Sequence, residues 1–164
     1  MEVGKSEVLS MNMKGKNLGN PISSFEDLEA WQTARRLVNA IYTLTRAAKL
    51  SNDFRLCSQV QAAAVSIVSN IAEGFERTHL QEKIQFPNVA RGSAGEVRSL
   101  LYVISDNFPE ADAAAERVRE EVKAVGKLVS GLLNSTMRRR RIVSRAILAV
   151  SSAIFYLPAS ISYR

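Results

Sequence analysis

Few side chains in this sequence are placed to do chemistry. Glu73 and Glu96 each sit in a distinctive string, but a general acid–base pair or a metal site needs partners. Neither carboxylate has a histidine, a cysteine or a metal-spaced acid nearby. His79 is the single histidine, and one imidazole makes neither a triad nor a metal centre by itself. Cys57, the single cysteine, lies in an apolar run and reads as a small buried hydrophobe. Gly92 and Gly95 follow no strand and open no phosphate loop, so they read as sites of close helix contact. No enzyme signature emerges, and neither a catalytic residue, a metal, a cofactor nor a small-molecule substrate is expected. The strongest chemical signal is Arg138, Arg139, Arg140 and Arg141, followed by Arg145. Such a cluster binds phosphates by releasing counterions, without reading a base sequence. The competing reading is a solvated helix end, whose cations complement the dipole.

Charge is distributed in a way that sharpens this choice. The chain has 164 residues, 22 Lys or Arg and 16 Asp or Glu, for a net charge of +6. All 16 acids precede Arg138, as do 16 of the 22 bases, so that part has a net charge of 16 − 16 = 0. The basic character belongs to residues 138–164 alone. Bulk attraction to a polyanion is therefore not expected of the body. From 146 to 162 no residue is charged. Serines and Pro158 make this a poor membrane span, although with the arginines in front it suits a membrane surface. A fifth helix folding back on the bundle and a loose extension are the other readings of the tail.

Helical periodicity supplies the elements that would carry these groups. The central stretch is 56–72, LCSQVQAAAVSIVSNIA, which has no charge between Arg55 and Glu73. Val60, Ala64, Ile67 and Ile71 form one stripe, with Gln61, Val65, Val68 and Ala72 beside it. Together they cover about half the circumference, more than a surface helix buries. A third helix or another subunit is expected against the excess. Upstream, Ser24 and Asp27 resemble a capping box before a helix striped by Leu28, Trp31, Ala34, Val38, Ile41, Leu44 or Thr45, and Ala48. Arg35, Arg36 and Asn39 fall on its wet side. The cap-type residues Ser51, Asn52 and Asp53 lead into the central helix, which is expected to stop at a left-handed Gly74.

Thr78 is suited to cap a third helix striped by Phe86, Val89 or Ala90, Ser93, Val97, Leu100 or Leu101, and Ile104. Pro87 inside it predicts a kink or a split. Pro109 opens a fourth helix with the seam Val118, Val122, Val125, Val129 and Leu132, and Arg119 is assigned to its solvent face with Glu116 and Lys123. The fold expected is all-α: an antiparallel up-down-up-down four-helix bundle over 24–136. A flexible N-terminal arm (1–23) precedes it, and an arginine-rich, then apolar extension (137–164) follows. One cysteine and no apolar leader in the opening residues fit a cytoplasmic setting.

Two strings are more specific than bundle filler: Ser66-Ile67-Val68-Ser69-Asn70-Ile71-Ala72-Glu73-Gly74, and Ala90-Arg91-Gly92-Ser93-Ala94-Gly95-Glu96. With Phe25, Leu28, Glu29, Ala30, Trp31 and Ala34, they resemble the four-helix-bundle family encoded in intervening sequences of bacterial large-subunit ribosomal RNA genes. The accessory variability protein of diversity-generating retroelements is a relative. The resemblance implies a homo-oligomer, a ring of five subunits, and association with RNA or DNA. Independently of it, Ser66, Asn70, Ser93 and Glu96 are placed to form a buried network that fixes helix pairing, with Glu73 pairing to Arg91 or Arg77. Two function classes follow: an oligomeric nucleic-acid-associated protein acting through its arginines, or a structural, protein-interaction scaffold.

Overall fold

A computed structural model describes residues 22–47 and 49–155, excepting the side chains of 147 and 149–155. The described residues form four α-helices and no strand: α1 (Glu29–Leu44), α2 (Phe54–Glu76), α3 (Leu80–Asn107) and α4 (Asp112–Phe155). Helix α2 packs on α3, α3 on α4, and α1 on both α2 and α4, so the architecture is all-α and bundle-like. The expected N-terminal arm, apart from Ile22 and Ser23, lies outside the described residues, as do Ala48 and residues 156–164.

Local chemistry explains the boundaries. A 3-10 turn, Phe25–Asp27, precedes α1, and the Asp27 carboxylate accepts from the backbone N–H groups of Ser23 at 2.9 Å and Ser24 at 3.1 Å. Those two donors, Ser23 first, hold the carboxyl below its ordinary pKa. The first helical turn is thus tied back on itself. Another 3-10 turn, Leu50–Asn52, leads to Asp53, whose side chain accepts from Leu56 N at 2.9 Å and caps α2. At α3 the cap position belongs to His79 rather than Thr78, and no side-chain bond is made there. Pro109 starts a 3-10 turn, Pro109–Ala111, directly before α4.

The core follows the expected seams, except that Leu37 and Leu133 are buried where Val38 and Leu132, both half-buried, were expected; four further corrections apply. Ala34, Leu37 and Ile41 of α1, Val60, Ala64, Ile67 and Ile71 of α2, Val97, Leu101 and Ile104 of α3, and Val125 and Val129 of α4 are buried together. First, Gly74 does not terminate α2, which runs two residues further to Glu76. A Cβ built at Gly74 would lie 2.9 Å from Pro87 Cδ and 3.1 Å from Phe86 Cβ, so this glycine is where α3 comes closest. Second, Pro87 does not split α3, which continues through it to Asn107. Its ring is buried and fills the space that Gly74 leaves. Third, Arg119 is not on the solvent face but buried. Fourth, the chain itself covers the second stripe of α2 only in part: Val65 is 42% exposed, and Gln61, Val68 and Ala72 are half-buried.

The approach at Gly74 generates a direct test. Gly74→Ala adds a methyl group against a proline ring fixed in a helix, and should destabilise the fold by about 1–3 kcal/mol in urea unfolding. An unchanged midpoint would show that α2 and α3 can separate there freely.

Candidate polyanion interface

Helix α4 is 44 residues long, about 66 Å at 1.5 Å per residue, and only its first half is packed. Val118, Val122, Val125, Val129 and Leu133 are buried, whereas every described side chain from Arg138 onward is exposed. The extension is therefore neither a fifth helix nor a loose tail up to Phe155. It is the same helix continued past the bundle. Arg138, Arg139, Arg140, Arg141 and Arg145 lie on that projecting part, all exposed. Consecutive residues are 100° apart on a helix, so the first four encircle α4 rather than striping it. The arrangement can hold phosphate groups from several directions at once. Arginine suits the task because its planar fork donates to two phosphate oxygens together.

The structure separates the other predicted residues into a network and outsiders. Asn70 Nδ2 donates to the Ser66 carbonyl at 2.7 Å and to its Oγ at 3.1 Å. Ser66 Oγ lies 2.9 Å from Ser93 Oγ, and Ser93 Oγ also donates to the Val89 carbonyl at 3.2 Å. These bonds join α2 to α3 as expected. Glu96 is exposed and outside the network, a correction that follows from its position about 60° round the helix from Ser93, on the side away from the buried Ala90, Ala94 and Val97. Glu73 pairs with Arg77, which also reaches Glu82 at 3.8 Å and stacks 4.8 Å from the Phe86 ring centre. Arg91 faces solvent instead. Nothing lies within 4 Å of a Cβ built at Gly92 or Gly95, so neither glycine mediates a close contact within the chain.

Two groupings were not apparent in the sequence. Arg119 enters the α3–α4 contact, donating from Nη1 to Ser105 Oγ at 2.7 Å and to the Leu101 carbonyl at 3.2 Å. Its other side pairs with Glu116, its guanidinium lies 3.7 Å from Asp112, and Tyr102 sits under it at 4.6 Å. The Glu116 carboxylate, the largest influence, holds the guanidinium above its ordinary pKa against the opposing effect of burial. The second grouping lies on the outer face of α1, where Trp31, Gln32, Arg35, Arg36 and Asn39 line a groove of about 240 Å³. Arg35 lies 5.7 Å from the Trp31 ring centre, and Phe25 meets that ring edge-on at 5.1 Å. The i, i+4 spacing of Trp31 and Arg35 was the available signal. Cys57 is buried as expected, its Sγ 3.2 Å from the Leu50 carbonyl, and burial, with Asp53 next in effect, pushes the thiol pKa up.

The match to known proteins covers the bundle. The family model of the 23S rRNA-intervening sequence protein matches residues 26–131. The chain belongs to that family. A crystal structure of a protein of unknown function from the S23 ribosomal protein family of Bacteroides thetaiotaomicron is similar in fold. It has a TM-score of 0.58 and 16% identity, over 64% of this chain and 95% of that one. No curated protein matches the chain. The matched region ends at residue 131, before the arginine cluster begins.

Removing members of the two networks should separate structure from surface. Ser93→Ala should cost about 1 kcal/mol and Arg119→Leu about 1–3 kcal/mol, because each leaves an interhelical partner unmet. Glu96→Gln should stay within about 0.5 kcal/mol of the parent. Chemical denaturation of the three variants checks the order, and a Glu96→Gln effect as large as that of Ser93→Ala would contradict it.

Proposed function

We propose that this chain is a non-catalytic, self-associating bundle that presents the arginines of α4 to a phosphate-bearing polyanion. The observation that carries the reading is the segregation of charge. The part before Arg138 is neutral overall, and the exposed Arg138, Arg139, Arg140, Arg141 and Arg145 stand on a helix clear of it. The family's tie to ribosomal RNA makes nucleic acid the first source of phosphate to test. A cytoplasmic setting fits the single reduced cysteine. Antiparallel up-down-up-down topology fits the pairings of Ser66 with Ser93 and Gly74 with Pro87, in which numbers rising along α2 fall along α3.

Self-association is supported by the outer face of α2. Ser58, Gln59, Ala62, Val65 and Ser69 form a face without charge, and Val65 at its centre is 42% exposed. Val89 and Gly92, on the turn of α3 that carries Ser93, are exposed as well. A glycine inside a helix costs about 1 kcal/mol relative to alanine, and Gly92 recovers nothing within its own chain. A second copy lying against this smooth face would use it, and a ring of five is the assembly the family resemblance implies. Grouping subunits would also group their arginines, so that weak phosphate contacts add. The scaffold reading shares this face. It differs in giving the arginines no ligand.

Two measurements test the proposal. RNA affinity of the full chain should fall steeply with salt, and replacing the five arginines by glutamine should flatten the log–log slope by about 4, near 0.7–0.9 for each phosphate left without its cation. No RNA binding at low salt would remove nucleic acid as the ligand. Val65→Glu should shift the mass found by light scattering toward the monomer, and a parent chain that is already monomeric would overturn self-association.

A further inference from the structure

Past the arginines, α4 changes chemistry without changing conformation. Ile142, Val143 and Leu148 are 60%, 52% and 69% exposed, and the sequence carries no charge from 146 to 162. An apolar helix end standing in water is a surface awaiting cover. Phosphates of a nucleic acid would satisfy the arginines and leave these side chains wet. A second copy laid on this end would cover the apolar side chains and bring the arginines no counter-charge. An anionic lipid surface meets both demands: guanidinium groups reach headgroup phosphates while their stems and the adjoining apolar side chains enter the acyl boundary.

We propose that the projecting end of α4 docks on an anionic bilayer. The collar of Arg138, Arg139, Arg140 and Arg141 lies at the headgroup phosphates, and Ile142, Val143 and Leu148 lie in the interface. This inference rests on the reading of the collar as a phosphate-binding element and names the source of the phosphate. Docking differs from spanning. No helix among the described residues is long and apolar enough to cross a membrane. Because the body has no net charge, attraction is confined to the collar and orients the bundle away from the bilayer.

The test is flotation of the full chain with phosphatidylcholine vesicles, with and without phosphatidylglycerol, alongside RNA binding by the same samples. Binding is expected only with phosphatidylglycerol. Arg139→Glu with Arg140→Glu should weaken it by about tenfold or more. Ile142→Gln with Leu148→Gln should also weaken vesicle binding by about tenfold while leaving RNA affinity unchanged, since both substitutions are neutral. All four positions are exposed and outside the bundle core, so an unchanged melting temperature should accompany each weakening. RNA binding without vesicle binding would overturn the lipid inference and leave the phosphate reading standing. Absence of both would overturn the two together, and vesicle binding that survives the double glutamine variant would show that the apolar end is not inserted.

Discussion

The close approach of α2 and α3 at Gly74 is the constraint on which the arrangement of the bundle depends. Pro87 Cδ would stand 2.9 Å from any Cβ at that position, and helix axes can come this near only where one side chain is absent. Once the two backbones are held there, Ser66 and Ser93 fall within hydrogen-bond distance further along the same contact. Proline inside a helix removes a backbone donor and usually bends the chain. Here its ring is buried in the place a glycine vacates. The helical and packing demands of the two residues are met together or not at all.

The opposite edge of α3 is fixed by a different kind of contact. Arg119 joins α4 to α3 through Ser105 and the Leu101 carbonyl, while Glu116 and Asp112 neutralise it from the solvent side. A buried guanidinium costs much of its attraction in lost hydration. Full coordination by two hydroxyl or carbonyl acceptors, two carboxylates and the Tyr102 ring offsets that cost. Its value lies in specificity: a misregistered α4 would strand a cation among apolar side chains. The hydrogen-bonded serines on one edge and the arginine on the other set α3 in register with both neighbours.

Seams of Val, Ile, Leu and Ala were legible because a period of 3.6 places them on one face whatever the tertiary partner, and four helices with most of their core positions followed. Termini and exceptions were less legible. Gly74 reads as a helix stop by residue type, since its real role depends on a proline thirteen positions later (87 − 74). Arg119 reads as a surface residue because charge is a good predictor of exposure unless acceptors converge from another helix. Glu96 reads as a network member from its string, yet it points one step too far round α3. At the arginine cluster, composition announced the charge. Its geometry, a collar on a continuous helix, depended on knowing that α4 does not stop.

That continuity has a physical origin in the sequence of α4 itself. Between Asp112 and Phe155 there is no proline, and the two glycines, Gly126 and Gly131, lie in open space and break nothing. Residues such as Leu, Ala and Arg favour helix over coil by a few tenths of a kcal/mol, roughly. A helix nucleated by packing of its first half can extend at little further cost, since nucleation and not propagation is the expensive step. The buried half of α4 thereby acts as the nucleus for its exposed half. The exposed side chains beyond Arg138 take no part in the core packing of Val118 to Leu133. The chain can therefore vary what α4 presents to the outside without altering how it folds.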